Sequence, residues 1–241
     1  MTADPNAGWD RAADLESVKV AYARYADSGR TNLWNERNPG YARLANELSD
    51  ELIRNLRESM SPGETRVLDL GCGTGDLARL RPALGGPTDW VGIDLRVDAI
   101  DTALRAYPDA RFIVASADEV PEPDACFDVA VAQLLFSSLP STQLEQAVAR
   151  EVRRILRPGG WLLWVDLRYS NPWNPDVHGL PISRIRSLFP GWEMDIRAAG
   201  LMPPIARRLG RAARILYPLL SSLPPLRSHY IGRLRRPTLT D

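Results

Sequence analysis

Three aspartates, Asp69, Asp94 and Asp118, stand at or just past the ends of short apolar runs in the first half of this 241-residue chain. After the first comes Gly71-Cys72-Gly73-Thr74-Gly75, with glycine at every second position. Carboxylates accept hydrogen bonds and attract cations, while glycines let the backbone turn sharply and leave no Cβ between chain and ligand. Val67-Leu68-Asp69-Leu70 has the make-up of a strand buried on both faces. A helix starting near Gly75 would aim its free N–H groups into the turn, and the combination reads as a ligand cradle. Farther along, Asp166, Tyr169 and His178 are candidates to accept a proton. His178, one of two histidines, could deprotonate a hydroxyl near neutral pH, or serve as a surface or packing residue.

The spacing separates two cofactor classes. A dinucleotide fingerprint has glycine at its first, third and sixth positions. Here the glycines fall at the first, third and fifth, and Asp76 takes the sixth place. Asp69, two residues before Gly71, would repel a pyrophosphate but would suit a ligand carrying an ammonium and a sulfonium. S-adenosylmethionine (SAM) carries both. The segment resembles the first motif of the class I SAM-dependent methyltransferases, of the UbiE-like small-molecule type. An NAD-dependent oxidoreductase is disfavoured on the same spacing.

Asp94 lies 19 residues beyond Gly75, close to the spacing at which a second strand delivers an acid to a ribose, although Asp98 and Asp101 also allow it a helix-capping role. What the resemblance implies goes further. Asp69, Gly71, Cys72, Gly73 and Gly75 would border the cofactor, with Cys72 also reading as a small structural side chain. Leu95 and Gln133 would lie beside it, Asp118 would accept from the adenine amine, and the Ala117 backbone would bond a ring nitrogen. N-terminal helices in such proteins often cover the cofactor, which puts Tyr25, Arg30 and Trp34 within its reach; a solvated Arg30 and a packing Trp34 are the alternatives. The family's Asn/Asp-Pro-Pro-aromatic motif for N-methylation is absent, since Ala132-Gln133-Leu134-Leu135 stands in its place, and Ser137-Ser138 replaces a common histidine pair.

The elements that must position these residues follow from periodicity. Asp14 to Ala26 reads as a helix with Leu15, Val18, Tyr22 and Tyr25 near one face. Asn38-Pro39 caps a second helix striped with Tyr41, Leu44, Leu48, Leu52 and Leu56. Further strands are expected over 89–95, 111–115, 126–136, 161–166, 192–198 and 228–234, alternating with helices over 97–106, 141–156 and 182–189. A helix over 205–217 carries Ile205, Leu209, Ala212 and Leu216 on one side and Arg207, Arg211 and Arg214 on another. It could cover the protein's own pocket or rest on an anionic membrane through residues 204–217. The resemblance implies an α/β, Rossmann-like seven-stranded sheet of order 3-2-1-4-5-7-6 with the last strand antiparallel. Residues 1–60 would be a helical cap and 61–241 the methyltransferase domain.

Composition narrows the function. The net charge is zero, which gives no support for nonspecific nucleic-acid binding, and the 29 arginines among 30 basic residues read as the mark of a GC-rich genome. Cys72 and Cys126 lack the spacing of a zinc site, and no metal is expected. No apolar run reaches about 20 residues and the first ten residues do not read as a secretory signal, so a cytoplasmic protein is expected. The expected activity is SAM-dependent O-methylation of a small-molecule or glycan-type hydroxyl, leaving S-adenosylhomocysteine. A non-catalytic SAM-binding module is the alternative, and an RNA or protein methyltransferase a lesser one.

Overall fold

The computed structural model describes residues 8–27, 37–60, 63–172 and 174–238. Arg30 and Trp34 lie outside the described residues. Seven strands form one sheet: β1 (Thr65–Leu70), β2 (Thr88–Asp94), β3 (Arg111–Val114), β4 (Phe127–Gln133), β5 (Leu156–Leu167), β6 (Glu193–Leu201) and β7 (Arg227–Arg235). Their order is β3-β2-β1-β4-β5-β7-β6, as expected. Pairings from β3 through β5 are parallel, and β7 is antiparallel to both β5 and β6.

The apolar runs are continuous because both faces of the sheet are covered. Val67, Val129, Val131, Leu163 and Val165 face a core shared with α2 (Pro39–Ser59) and α3 (Val97–Ala106). Leu68, Leu70, Ala130, Ala132, Leu162 and Trp164 face the opposite core, with α4 (Thr142–Ile155) and α5 (Ile182–Leu188). The period of two along each strand divides its side chains between these layers. Asn38 caps α2 by accepting from Gly40 N and Tyr41 N. Leu44, Leu52 and Leu56 of the expected stripe are buried against β5–β7 and α6 (Pro203–Arg208). A Cβ at Gly40 would sit 1.8 Å from the Ala206 carbonyl oxygen, so glycine permits the close approach of α2 to α6. The first helix, α1 (Arg11–Asp27), goes to the other side of the sheet, where Leu15 packs on the α4 core.

Two expected helices differ. After the glycine turn the chain forms a 3₁₀ helix over Asp76–Ala83, not an α-helix. Pro82 inside it lacks an N–H, and Ala78 and Leu84 donate to carbonyls three residues back. The helix expected over 205–217 is broken into α6, a 3₁₀ turn at Gly210–Ala212 and α7 (Ala213–Ser221), with Gly210 at φ 49° redirecting the chain. Among the described residues no helix is long and apolar enough to cross a membrane.

Candidate cofactor cleft

The C-terminal ends of β1, β2 and β4 converge beside the glycine turn. Gly71, Gly73 and Gly75 all have positive φ (69°, 54° and 80°), a conformation L side chains rarely adopt, and this explains the alternation. A Cβ on Gly75 would also lie 2.9 Å from Ala103 Cβ and Phe112 Cζ. The turn is laced to β2, with Cys72 N donating to Ile93 O at 2.8 Å and Gly73 N to Asp94 Oδ2 at 2.8 Å. The other Asp94 oxygen accepts from Arg96 N at 2.9 Å, and the Arg96 guanidinium lies 3.3 Å from it.

Asp69 is fully buried between β2 and β4, and its Oδ2 has no hydrogen-bond partner. Burial first, then the charges of Asp94 and Asp76, push its carboxyl up to about 8. Cys72 packs behind the turn, with Sγ 3.0 Å from where a Cβ of Gly92 would lie. Burial, then Asp69, raises its thiol well above the ordinary range, so it is no nucleophile at neutral pH. Gln133 ends β4 with a buried, unpartnered Oε1. Leu134 follows at φ 54°, an uncommon conformation for a branched residue, with its N–H bonded to Val165 O at 2.7 Å.

These walls and α1 enclose a cavity. Gly71, Asp94, Leu95, Ala117 and Gln133 line it, whereas Asp69, Cys72, Gly73 and Gly75 stand behind the lining. From α1 come Leu15, Val18 and Tyr22, the last with its ring under Arg96 (4.6 Å from Cζ to the ring centroid). Burial raises the Tyr22 phenol above its usual value, opposed by a hydrogen bond with Ser138. From the sequence, Tyr22 was expected only on the apolar face of the first helix, and Arg96 was not singled out. Their signal was the stripe containing Tyr25 and the basic residue two places after Asp94.

Asp118 departs from the expected role. It does not line the cavity, and both its oxygens are taken by Arg11 of α1 (Nε at 2.5 Å, Nη2 at 3.1 Å) and by Ser116 Oγ. Burial works against its ionisation, but the Arg11 and Ser116 hydrogen bonds hold it below the usual carboxylate range. At the other end of α1, Tyr25 donates to Asn174 Oδ1 at 2.9 Å and Arg24 pairs with Asp176. Tyr25 itself does not line the cavity. With α1 strapped at both ends, the enclosed volume is about 60 Å³. Small-molecule sites are typically about 300 Å³ or more, so the cleft as closed is too small for a nucleoside.

The three expected proton acceptors do not meet here. The His178 ring is hydrogen-bonded to Glu145 at 2.9 Å, and the same glutamate holds Arg184. Tyr169 is exposed with Arg168 over its ring. Asp166 is buried, accepting from Ser137 N at 3.1 Å and Leu167 N at 2.8 Å. Burial raises its carboxyl to about 6, against those hydrogen bonds. Asp166 therefore pins the turn after β4, and none of the three lines the cavity.

Residues 67–160 match the family model described as a methyltransferase domain. Together with the fold, this match and the relatives below support a class I SAM-dependent methyltransferase. It is 33% identical over 171 residues to a ubiquinone/menaquinone biosynthesis C-methyltransferase, UbiE, of Ectopseudomonas mendocina, covering 66% of this chain and 61% of that one. It is 28% identical over 224 residues to the 27-O-demethylrifamycin SV methyltransferase of Amycolatopsis mediterranei, covering 86% and 76%. The chain spans roughly half the length of several other curated relatives it matches. Among solved structures, the [4+2]-cyclase SpnF superposes with a TM-score of 0.58 at 20% identity, covering 78% of this chain and 82% of that one, which shows a shared fold alone.

The donor set fits SAM. An orphaned buried carboxylate oxygen suits an ammonium, Asp94 keeps acceptor capacity on both oxygens, and Gly71 presents bare backbone to the cavity.

Proposed function

We propose that this chain transfers a methyl group from SAM to an oxygen of a small, largely apolar acceptor. The observation that carries the reading is the unpartnered Asp69 oxygen behind left-handed Gly71, which shares the cavity wall with Asp94 and Gln133. Asp69 would complement the ammonium of the methionine end through the turn, Asp94 the ribose hydroxyls, and Ala117 the adenine edge. Asp118 reaches the adenine amine only when Arg11 lets go.

Bound SAM supplies a sulfonium methyl that is already electrophilic. What remains for the protein is to hold two partners in line and exclude water, which α1 does by closing the cleft. Leu134, Leu135, Leu139, Leu144 and Val148 line the cavity, which favours an apolar acceptor over a glycan. Transfer to oxygen follows the Amycolatopsis mediterranei relative, which covers 86% of this chain and whose name specifies an oxygen. Asp166 acts by fixing the turn that bears Ser137 and Ser138, and His178 by bracing Glu145.

The test is calorimetric titration of SAM and S-adenosylhomocysteine, followed by transfer from labelled SAM to hydroxylated apolar acceptors. Asp94→Ala is expected to weaken SAM at least roughly tenfold. Absence of SAM binding by the parent, or equal binding by the variant, refutes the reading. A second reading, a retained cradle without methyl transfer, is permitted by Ser137-Ser138 standing where the family commonly has a histidine pair. It predicts SAM binding with no labelled product.

A further inference from the structure

The helical insertion between β6 and β7 does not cover the cofactor cleft. Its inner side is the small core of Leu44, Leu201, Ala206 and Tyr217, where the Tyr217 hydroxyl donates to Glu47 at 2.6 Å and accepts from Leu201 N at 3.2 Å. Arg227 adds a bond to Ser221 O at 2.6 Å. The helix α7 is thereby locked in one rotation. Ile215 and Leu219, two residues either side of inward Tyr217, project to the opposite face.

That outer face is unusual for a soluble surface. Ile215 is 70% and Leu219 61% exposed, and Leu216 and Leu223 are exposed beside them. Four of the nine exposed large apolar side chains among the described residues thus fall within 215–223. Arg208, Arg211 and Arg214 are exposed on the same insertion and pair with no carboxylate among the described residues. Residues 203–226 hold four arginines and no acid, in a chain whose net charge is zero. Basic charge without acid is therefore placed on the same insertion that bares these four apolar side chains.

We propose that this face docks on an anionic phospholipid surface, with Ile215, Leu216, Leu219 and Leu223 entering the headgroup boundary and Arg208, Arg211 and Arg214 meeting lipid phosphates. A second copy is a poorer occupant, because two-fold pairing of this patch brings two arginine clusters together. The placement adds a reason for the docking. β6 runs parallel to β5, so the insertion leaves the sheet at the edge where β1, β2 and β4 end at the cleft. Arg168, just after β5, reaches the insertion through Pro224 O at 2.7 Å. A lipophilic acceptor would enter from the membrane side. That corollary rests on the proposed methyl transfer, whereas the docking does not.

The experiment is flotation of the full chain with vesicles of phosphatidylcholine alone or mixed with phosphatidylglycerol, at low and high salt, with SAM titration run in parallel. The parent is expected to float with the phosphatidylglycerol vesicles and to be released by salt. Ile215→Ser/Leu219→Ser and Arg211→Glu/Arg214→Glu should each lower the bound fraction by roughly tenfold or more with unchanged melting and SAM affinity. No binding by the parent, binding by both variants equal to the parent's, or a parent dimer that the serine substitutions dissolve overturns the proposal. SAM binding, read separately, shows whether the methyltransferase reading stands or falls on its own.

Discussion

Replacing Gly71 by alanine tests the cradle most directly, because strain and ligand contact separate against a control. Gly71 has φ 69° and Gly85 has φ 78°, so both alanines adopt nearly the same unfavourable backbone. The left-handed conformation costs an L residue about 1–2 kcal/mol, and the loss of unfolded-chain entropy returns about 0.4–1 kcal/mol. Each variant should therefore lose about 1 kcal/mol, or about 2–4 °C in melting temperature for a chain of this size. Nothing lies within 4 Å of a Cβ at Gly85. A Cβ at Gly71 meets Leu135, with Cδ1 at 3.1 Å and Cγ at 4.0 Å, a side-chain end that can shift by a few tenths of an ångström. The two substitutions thus match in stability and differ in place, since Gly71 lines the cavity and Gly85 does not. Calorimetry should find SAM weakened tenfold or more in Gly71→Ala, about 1.4 kcal/mol, and unchanged in Gly85→Ala. Equal affinities in the two variants would show that the turn does not touch the cofactor.

Other consequences follow from the buried acids and the α1 strap. The Asp166 carboxyl is raised from 3.8 to about 6, so the folded state holds a proton that the unfolded chain has released. Its stabilising contribution is complete below about pH 4 and disappears as pH rises through 6, a loss of about 3 kcal/mol. Denaturant titrations should show this fall in the parent and a flatter profile in Asp166→Asn; identical slopes would contradict it. Asp69, raised to about 8, is mostly protonated at pH 7 and should shed its proton when an ammonium arrives. SAM binding should then release protons, measured as a dependence of binding heat on buffer ionisation enthalpy, and Asp69→Asn should abolish the release. Arg11 is 38% exposed, so solvent screening holds its clamp on Asp118 to about 0.5–1 kcal/mol. Arg11→Ala should speed SAM association two- to fivefold in stopped-flow fluorescence, and an unchanged rate would argue that α1 opens elsewhere.

Much of the fold was legible because its cues are local. Val67 through Leu70 is apolar on both faces, as a strand covered by two helical layers must be, and the Asn38 cap and Leu44–Leu52–Leu56 stripe mark α2 within a few turns. The alternating glycines were equally legible, since a positive φ at each of three positions demands them. The broken helix at Gly210 and the 3₁₀ turn at Asp76–Ala83 were harder, because apolar spacing survives a change of helix type or direction.

By itself the sequence determined the strands, the glycine turn and the acids that follow Leu68 and Ile93, all set by backbone conformation and side-chain period over short spans. Only the tertiary structure decided what those acids meet. Arg11 closes on Asp118 across 107 residues, Glu145 takes His178 across 33, and Tyr22 slides under Arg96. A charged side chain chooses its partner by proximity in space and by the desolvation that burial imposes, and neither is written in its neighbours along the chain.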